Sequence, residues 1–86
     1  MFNVLGFYKF KKLKSLKKNK LFLQKIFTDN DIKGTLIISS EGLNGAISGR
    51  SKNISLISKR IKRLFDIVNF DSENLSKSKF QPFHKP

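Results

Sequence analysis

The sequence predicts an α+β fold in which two helices cover one face of a four-stranded antiparallel sheet. Two stretches, 14–30 and 51–65, place apolar residues at helical spacing and lysines on the opposite face. Short apolar runs of strand length precede and separate these stretches. Four of the five glycines lie between residues 34 and 49, where a hairpin between two strands is expected.

The first strand is predicted over 3–10 and the first helix over 14–30. Aromatic residues fall on both faces of the strand, which indicates a central strand with helices on one side. The helix pattern divides cleanly into an apolar face and a basic face. The apolar face consists of Leu13, Leu16, Leu23, Ile26 and Phe27, and the basic face of Lys14, Lys17, Lys18 and Lys25.

The glycine-rich stretch predicts a second strand over 35–39 and a third strand that begins at Ala46. The block Glu41-Gly42-Leu43-Asn44-Gly45 is expected to form the turn between them. Asn-Gly is the strongest short-range hairpin dipeptide, because both residues tolerate positive φ. Hairpin geometry therefore accounts for Asn44 and Gly45, whereas it leaves Glu41 unexplained.

The second helix is predicted over 51–65, with Ser51 as its N-cap. A fourth strand is predicted over 67–70, which completes a domain spanning residues 1–72; a polar tail follows over 73–86. This order, β-α-β-β-α-β, is the split βαβ or ferredoxin-like arrangement. It places the lysine-rich faces of both helices on one side of the domain.

The formal net charge of +12 predicts a polyanionic partner, and it favours nucleic acid over a membrane surface. The alternative is compositional, because most of the basic residues are lysines and an AT-rich coding genome produces the same bias. No run approaches the roughly 18 apolar residues of a membrane span. We therefore expect no membrane partner, and we expect the protein to be located in the cytoplasm.

The chain contains no cysteine, which excludes a thiolate nucleophile, a thiolate metal site and a disulfide framework. The single histidine, His84, cannot form a metal cluster by itself. We therefore predict no catalytic residue, no metal site and no cofactor in this segment.

Several blocks of the sequence resemble one known family. They are Phe7-Tyr8-Lys9-Phe10, Lys33-Gly34-Thr35-Leu36, Glu41-Gly42-Leu43-Asn44-Gly45, Ser48-Gly49 and the tail Gln81-Pro82-Phe83. Together they resemble the N-terminal domain of the bacterial tRNA uridine hydroxylases, which are rhodanese-domain proteins. The resemblance covers nearly the whole chain, and the block from Glu41 to Gly45 is its most specific part.

The resemblance implies an acylphosphatase-like fold and, for the full-length protein, oxygen-dependent 5-hydroxylation of the wobble uridine of tRNA. It also implies that the polar tail leads through a last strand to a rhodanese domain that holds the active-site cysteine. The 86-residue segment alone is therefore expected to be inactive. Its expected partners are tRNA and the downstream rhodanese domain.

Six residues are candidates for contacting RNA or docking the rhodanese domain: Glu41, Asn44, Gly45, Lys14, Lys17 and Lys18. A tight turn alone would also account for Asn44 and Gly45. A solvated helix face would account for the lysines. Tyr8 and Phe10 could stack bases, although the aromatic pattern of RNA-recognition modules is missing and packing is the competing explanation.

Two other functions stay open on the residues alone. One is a stand-alone acylphosphatase-like hydrolase, but acylphosphatases place a glycine-rich loop with an arginine after the first strand. Lys11-Lys12 occupies that position here, which makes this activity unexpected. The other is a non-catalytic interaction module that binds a partner through an exposed sheet face.

Overall fold

Four β-strands and two α-helices follow one another in the predicted order within residues 2–79, the part of the chain that this computed structural model describes. The elements are β1 (Phe2–Phe10), α1 (Leu16–Asp29), β2 (Lys33–Ser39), β3 (Gly42–Arg50), α2 (Ser51–Leu64) and β4 (Ser72–Ser78). The sheet order is β2-β3-β1-β4, and every neighbouring pair is antiparallel. This topology confirms the predicted ferredoxin-like fold.

The core lies between the two helices and one face of the sheet. Alternate residues of β1 and β3, such as Leu5, Phe7 and Ile47, are buried on this face. Ile57 and Ile61 of α2 are fully buried, as expected for the apolar stripe of an amphipathic helix. The predicted apolar face of α1 is confirmed: Leu13, Leu23 and Phe27 are buried, and Leu16 and Ile26 are partly buried.

Within residues 2–79 no helix covers the opposite face of the sheet, and we call it the open face. Tyr8 and Phe10 alternate with the buried residues of β1, so their side chains point to this face. The strand register places Asn44 of β3 opposite Tyr8 and Ile37 of β2 opposite Asn44. These four side chains therefore stand next to one another at one end of the open face.

The predicted position of the hairpin turn is wrong. Ser39 pairs with Gly42, so the turn consists of Ser40 and Glu41 alone. Asn44 and Gly45 lie inside β3, paired with both neighbouring strands. The segment after β1 secures the turn, because backbone N–H groups at Lys11 and Leu13 donate to the carbonyls of Glu41 (3.1 Å) and Ser40 (3.2 Å). Pairing on both edges of β3 outweighs the local turn preference of Asn-Gly.

Ser51 is the first residue of α2, and not its N-cap as predicted. Arg50 occupies the N-cap position with extended dihedral angles, and no side chain among residues 2–79 caps the helix there. The Ser51 hydroxyl accepts a hydrogen bond of 3.0 Å from the Asn3 side-chain amide. This bond links the start of α2 to β1 instead.

The predicted strand over 67–70 is also wrong. Ile67 is buried, and the Phe70 ring stacks on Phe7 at 4.7 Å between ring centroids, so these apolar residues close one end of the core. The fourth strand is the polar segment Ser72–Ser78, which pairs with β1. The sheet thus extends past the predicted domain boundary at residue 72. The division into this domain and a downstream rhodanese domain stays a prediction.

Asp71 joins the end of β1 to the start of β4. Its carboxylate accepts hydrogen bonds from the Phe10 backbone N–H (2.7 Å) and from the Lys9 ammonium (3.2 Å). Its own backbone N–H donates to the Tyr8 carbonyl at 2.8 Å. The Phe10 N–H, followed by Lys9, lowers the pKa of the Asp71 carboxyl below its usual value.

Asp71→Asn is expected to lower the free energy of unfolding at neutral pH. Because the folded-state pKa of Asp71 is lowered, its contribution is fully present above the unfolded-state pKa of about 3.9. It is then lost as the pH falls through the folded-state pKa. Urea unfolding of the unchanged protein and of the Asp71→Asn variant, measured from neutral to acid pH, should give free energies of unfolding that converge in acid. Asp29→Asn, at an exposed position at the end of α1, is the control and should show no such convergence.

Candidate functional site

A concave site of about 550 Å³ occupies the end of the open face nearest the β2–β3 turn. All four strands and the turn supply its walls, and the residues that matter chemically are Gly6, Tyr8, Phe10, Ile37, Glu41 and Asn44. We call it the open-face site. Alternation along β1 and the register with β3 and β2 bring these residues together.

The apolar part of the site consists of exposed side chains. Tyr8, Phe10 and Ile37 keep 42%, 76% and 57% of their surface exposed, which is unusual for three neighbouring large apolar residues. The rings of Tyr8 and Phe10 meet edge to face, with 5.5 Å between centroids. Gly6 forms part of the floor, and a Cβ atom built there would meet nothing within 4 Å in the part of the chain that the structure describes.

The side chains of Glu41 and Asn44 in the site have no partner within the described part of the chain. The Glu41 carbonyl accepts from Lys11, and its backbone N–H donates to the Ser39 hydroxyl at 3.3 Å, but its carboxylate is unpaired. The Asn44 side-chain amide is exposed and makes no hydrogen bond among residues 2–79. Both groups are therefore available to a ligand.

Gly45, the third predicted residue of the glycine-rich block, does not join the open-face site. It lies on the helix side of β3, where a Cβ atom would lie 2.9 Å from the Thr35 carbonyl and 3.0 Å from the Phe7 ring. Packing therefore explains the glycine, because the neighbouring strands leave no room for a side chain at this position.

The predicted lysines lie away from the open-face site. Lys14 precedes α1, Lys17 and Lys18 are in its first turn, and all three are exposed. They belong to a larger surface on the two helices, and α2 contains no acidic residue. We define the basic helix layer by its exposed cations: Lys17, Lys18, Lys25, Lys52, Lys59, Arg60 and Arg63.

The cations of the basic helix layer form no ion pairs within residues 2–79. The ion pairs of this region involve Lys9, Lys33 and Lys62 instead. The prediction that α1 divides cleanly into an apolar face and a basic face is wrong in one respect. Leu21 and Phe22 lie among the lysines and are 60% and 42% exposed. Neither helix in the described part of the chain is long and apolar enough to cross a membrane.

The sequence reasoning did not single out Gly6 or Ile37. Ile37 lies within the continuously apolar run Leu36-Ile37-Ile38, which gave no sign that its middle residue faces away from the helices. Strict alternation along β2 could have identified it once the pairing with β3 was known. Gly6 carries no side chain, so only the assembled sheet reveals its role.

Comparisons with known proteins agree on the fold and the family. The family model described as "UPF0176 acylphosphatase like domain" matches residues 2–86. A solved structure of a bacterial light-regulated adenylyl cyclase superimposes with a TM-score of 0.59 at 13% sequence identity. That match covers 96% of this chain and 26% of the cyclase chain, and it shows a shared fold alone.

Two curated relatives carry the name tRNA uridine(34) hydroxylase. The protein from Pelagibacter ubique (strain HTCC1062) is 56% identical over all 86 residues, which span 29% of that relative's length. The protein from Acaryochloris marina (strain MBIC 11017) is 39% identical over 56 residues, 65% of this chain and 18% of the relative. These names agree with the resemblance found in the sequence blocks. Because the family model spans residues 2–86, the chain belongs to the family of the UPF0176 acylphosphatase like domain.

Proposed function

We propose that this chain is the N-terminal domain of a cytoplasmic tRNA uridine hydroxylase, an oxidoreductase that converts the wobble uridine of tRNA to 5-hydroxyuridine with oxygen. The observation that carries the proposal is the 56% identity, over the whole chain, to a protein of that name. The matched region covers only 29% of that relative. We therefore assign the chemistry to the remainder of the full-length protein, a rhodanese domain, and expect the 86-residue segment to be inactive alone.

We assign the segment a role in holding tRNA. The exposed, unpaired cations of the basic helix layer support this role, because each cation that neutralises a phosphate releases counterions from the RNA. Lys14 extends this surface at the start of α1. Such contacts position an RNA without reading its sequence.

Docking of the rhodanese domain is a second role for the segment. Leu21, Phe22 and Leu56 are exposed on the helices at 60%, 42% and 44%. Exposed apolar side chains of this size favour a contact with another folded domain of the same protein. Acylphosphatase activity has no comparable support, since the connection over 11–15 after β1 contains neither glycine nor arginine.

The proposal is tested by measuring 5-hydroxyuridine in tRNA by mass spectrometry. Cells that lack the gene for the full-length protein are expected to lose the modified nucleoside, and the full-length gene should restore it. The 86-residue segment expressed alone is the matched control and should restore none. Unchanged 5-hydroxyuridine in the deletion strain, with no other enzyme forming it, would refute the hydroxylase assignment.

A further inference from the structure

We propose that the open-face site binds an unpaired nucleobase of the RNA, stacked on the aromatic pair Tyr8 and Phe10 and held at its polar edge by Asn44. This inference rests on the proposed tRNA function and adds a second contact surface, on the face of the domain opposite the basic helix layer. Nothing in the family description or the relatives' names assigns a ligand to this face.

The aromatic side chains provide the stacking surface. Tyr8 and Phe10 project from the central strand β1 to the open face and remain 42% and 76% exposed. The two rings meet edge to face, with 5.5 Å between their centroids, so they form one aromatic surface. Four-stranded sheets of RNA-recognition modules bind bases in this manner, with aromatic residues on the face that has no helix.

The shape of the site suits a flat ligand. Gly6 provides open space above β1, because no atom of the described residues lies within 4 Å of the position its Cβ would occupy. The neighbouring positions on β4 carry the short side chains of Ser72 and Asn74. The volume of about 550 Å³ exceeds that of one base, and it lies within the usual range of small-molecule sites.

The polar groups suit the edge of a base. The Asn44 amide offers one acceptor and two donors in a single plane, and it has no hydrogen-bond partner within residues 2–79. An unpaired uracil presents a matching N–H donor beside a carbonyl acceptor. The Glu41 carboxylate at the rim can accept a further hydrogen bond from a base N–H.

The charges favour RNA over a protein segment as the occupant. Within the site the Lys9 charge is paired with Asp71, so the site itself suits a neutral base rather than a phosphate. A phosphate beyond the site could meet Arg50, which the register places on the same face at the other end of β3. The net charge of +12 draws a polyanion toward the domain.

Tyr8 itself reports on the proposed contact. It is the only tyrosine of the chain, and the chain has no tryptophan, so intrinsic fluorescence comes from this one ring. We expect an RNA stem-loop with unpaired uridines to quench this fluorescence in a saturable way. A fully paired duplex of the same length should bind without quenching. Free N-acetyltyrosinamide corrects for light absorbed by the RNA.

Variants at three positions separate the base site from general RNA binding. Gly6→Val fills the open space with a residue that suits a strand, and it should abolish the quenching while far-UV circular dichroism stays unchanged. Phe10→Leu should weaken loop binding about tenfold, the usual scale for one lost stacking contact. Val68→Ala is the control, because Val68 is 84% exposed in the connection between α2 and β4 and belongs to neither proposed surface; it should change nothing. Gly6→Ala should give a partial effect.

Each alternative outcome has a defined meaning. Quenching by free uridine monophosphate at the same concentrations as the stem-loop would assign the site to a free nucleotide and overturn the RNA proposal. Weaker stem-loop binding by the Phe10→Leu variant of the isolated chain, without a corresponding loss in the full-length protein, would show that another domain occupies the face, which also overturns the proposal. RNA binding by fluorescence anisotropy without Tyr8 quenching would reject the base site alone. No anisotropy change at low salt would instead reject the underlying tRNA contact.

Discussion

Replacing Gly34 or Gly42 with alanine is expected to lower the free energy of unfolding by about 3 kcal/mol or more. Gly34 has φ of +127° and Gly42 has φ of +151°, conformations that residues with a side chain rarely adopt. In addition, an added Cβ would overlap the backbone carbonyl of Ala46 or of Lys9 respectively. A carbonyl held in a strand pair cannot move aside as a flexible side chain would.

Urea unfolding followed by far-UV circular dichroism measures this effect. Gly6→Ala is the matched control, since the same change in the same sheet adds a Cβ atom to open space. We expect it to be neutral or to stabilise the domain by up to about 1 kcal/mol, because it removes conformational freedom from the unfolded chain. Equal losses at all three glycines would contradict the strand register described above.

Neutralising the lysines at the start of α1 is expected to weaken tRNA binding. In a variant with Lys14, Lys17 and Lys18 changed to glutamine, we expect an affinity loss of about tenfold near physiological salt. The slope of log affinity against log salt should also become shallower by about 2 to 3, because roughly one phosphate contact is lost per lysine. Fluorescence anisotropy with labelled tRNA at several salt concentrations gives both values.

The control for this variant removes the same charge elsewhere. Lys33, Lys77 and Lys79 lie outside the helices, and their change to glutamine lowers the net charge by an equal amount. If the two variants lose the same affinity, the lysine surface acts only through the total charge of the domain. That result would support the compositional explanation of the basic residues over a dedicated RNA surface.

The parts of the fold that were predictable from the sequence are those with a strong local pattern. Both helices formed where apolar residues recur at helical spacing, and Leu23 and Ile57 of their apolar stripes are buried in the core. The strand β1 was predictable because a run rich in aromatic and apolar residues has a high strand propensity. The fold class followed from the order of these elements.

The parts that were not predictable depend on contacts distant in sequence. The Asn44-Gly45 dipeptide has the local chemistry of a turn, yet pairing with both β1 and β2 makes it part of a central strand. The polar strand β4 has no apolar alternation, and its pairing with β1 alone defines it. Phe70, in the apolar run that precedes β4, stacks on the core residue Phe7 instead of forming a strand.

In the candidate site, too, some residues were predictable from the local sequence and others only from contacts distant in sequence. Glu41 and Asn44 were predictable as candidates because the block that carries the family resemblance contains them. The structure adds that Asn44 stands beside Tyr8 and Ile37, which only the register can reveal. The predicted lysines and this site lie on opposite faces of the domain, so the six candidate residues do not form one cluster.

The most direct test of the central claim, that this domain holds tRNA, is a titration of the unchanged 86-residue chain with tRNA at two salt concentrations. We predict saturable binding at about 50 mM salt that weakens at least tenfold at about 200 mM, because lysine–phosphate contacts dominate the affinity. Absence of binding at the lower salt concentration, by a chain shown to be folded by circular dichroism, would contradict the account.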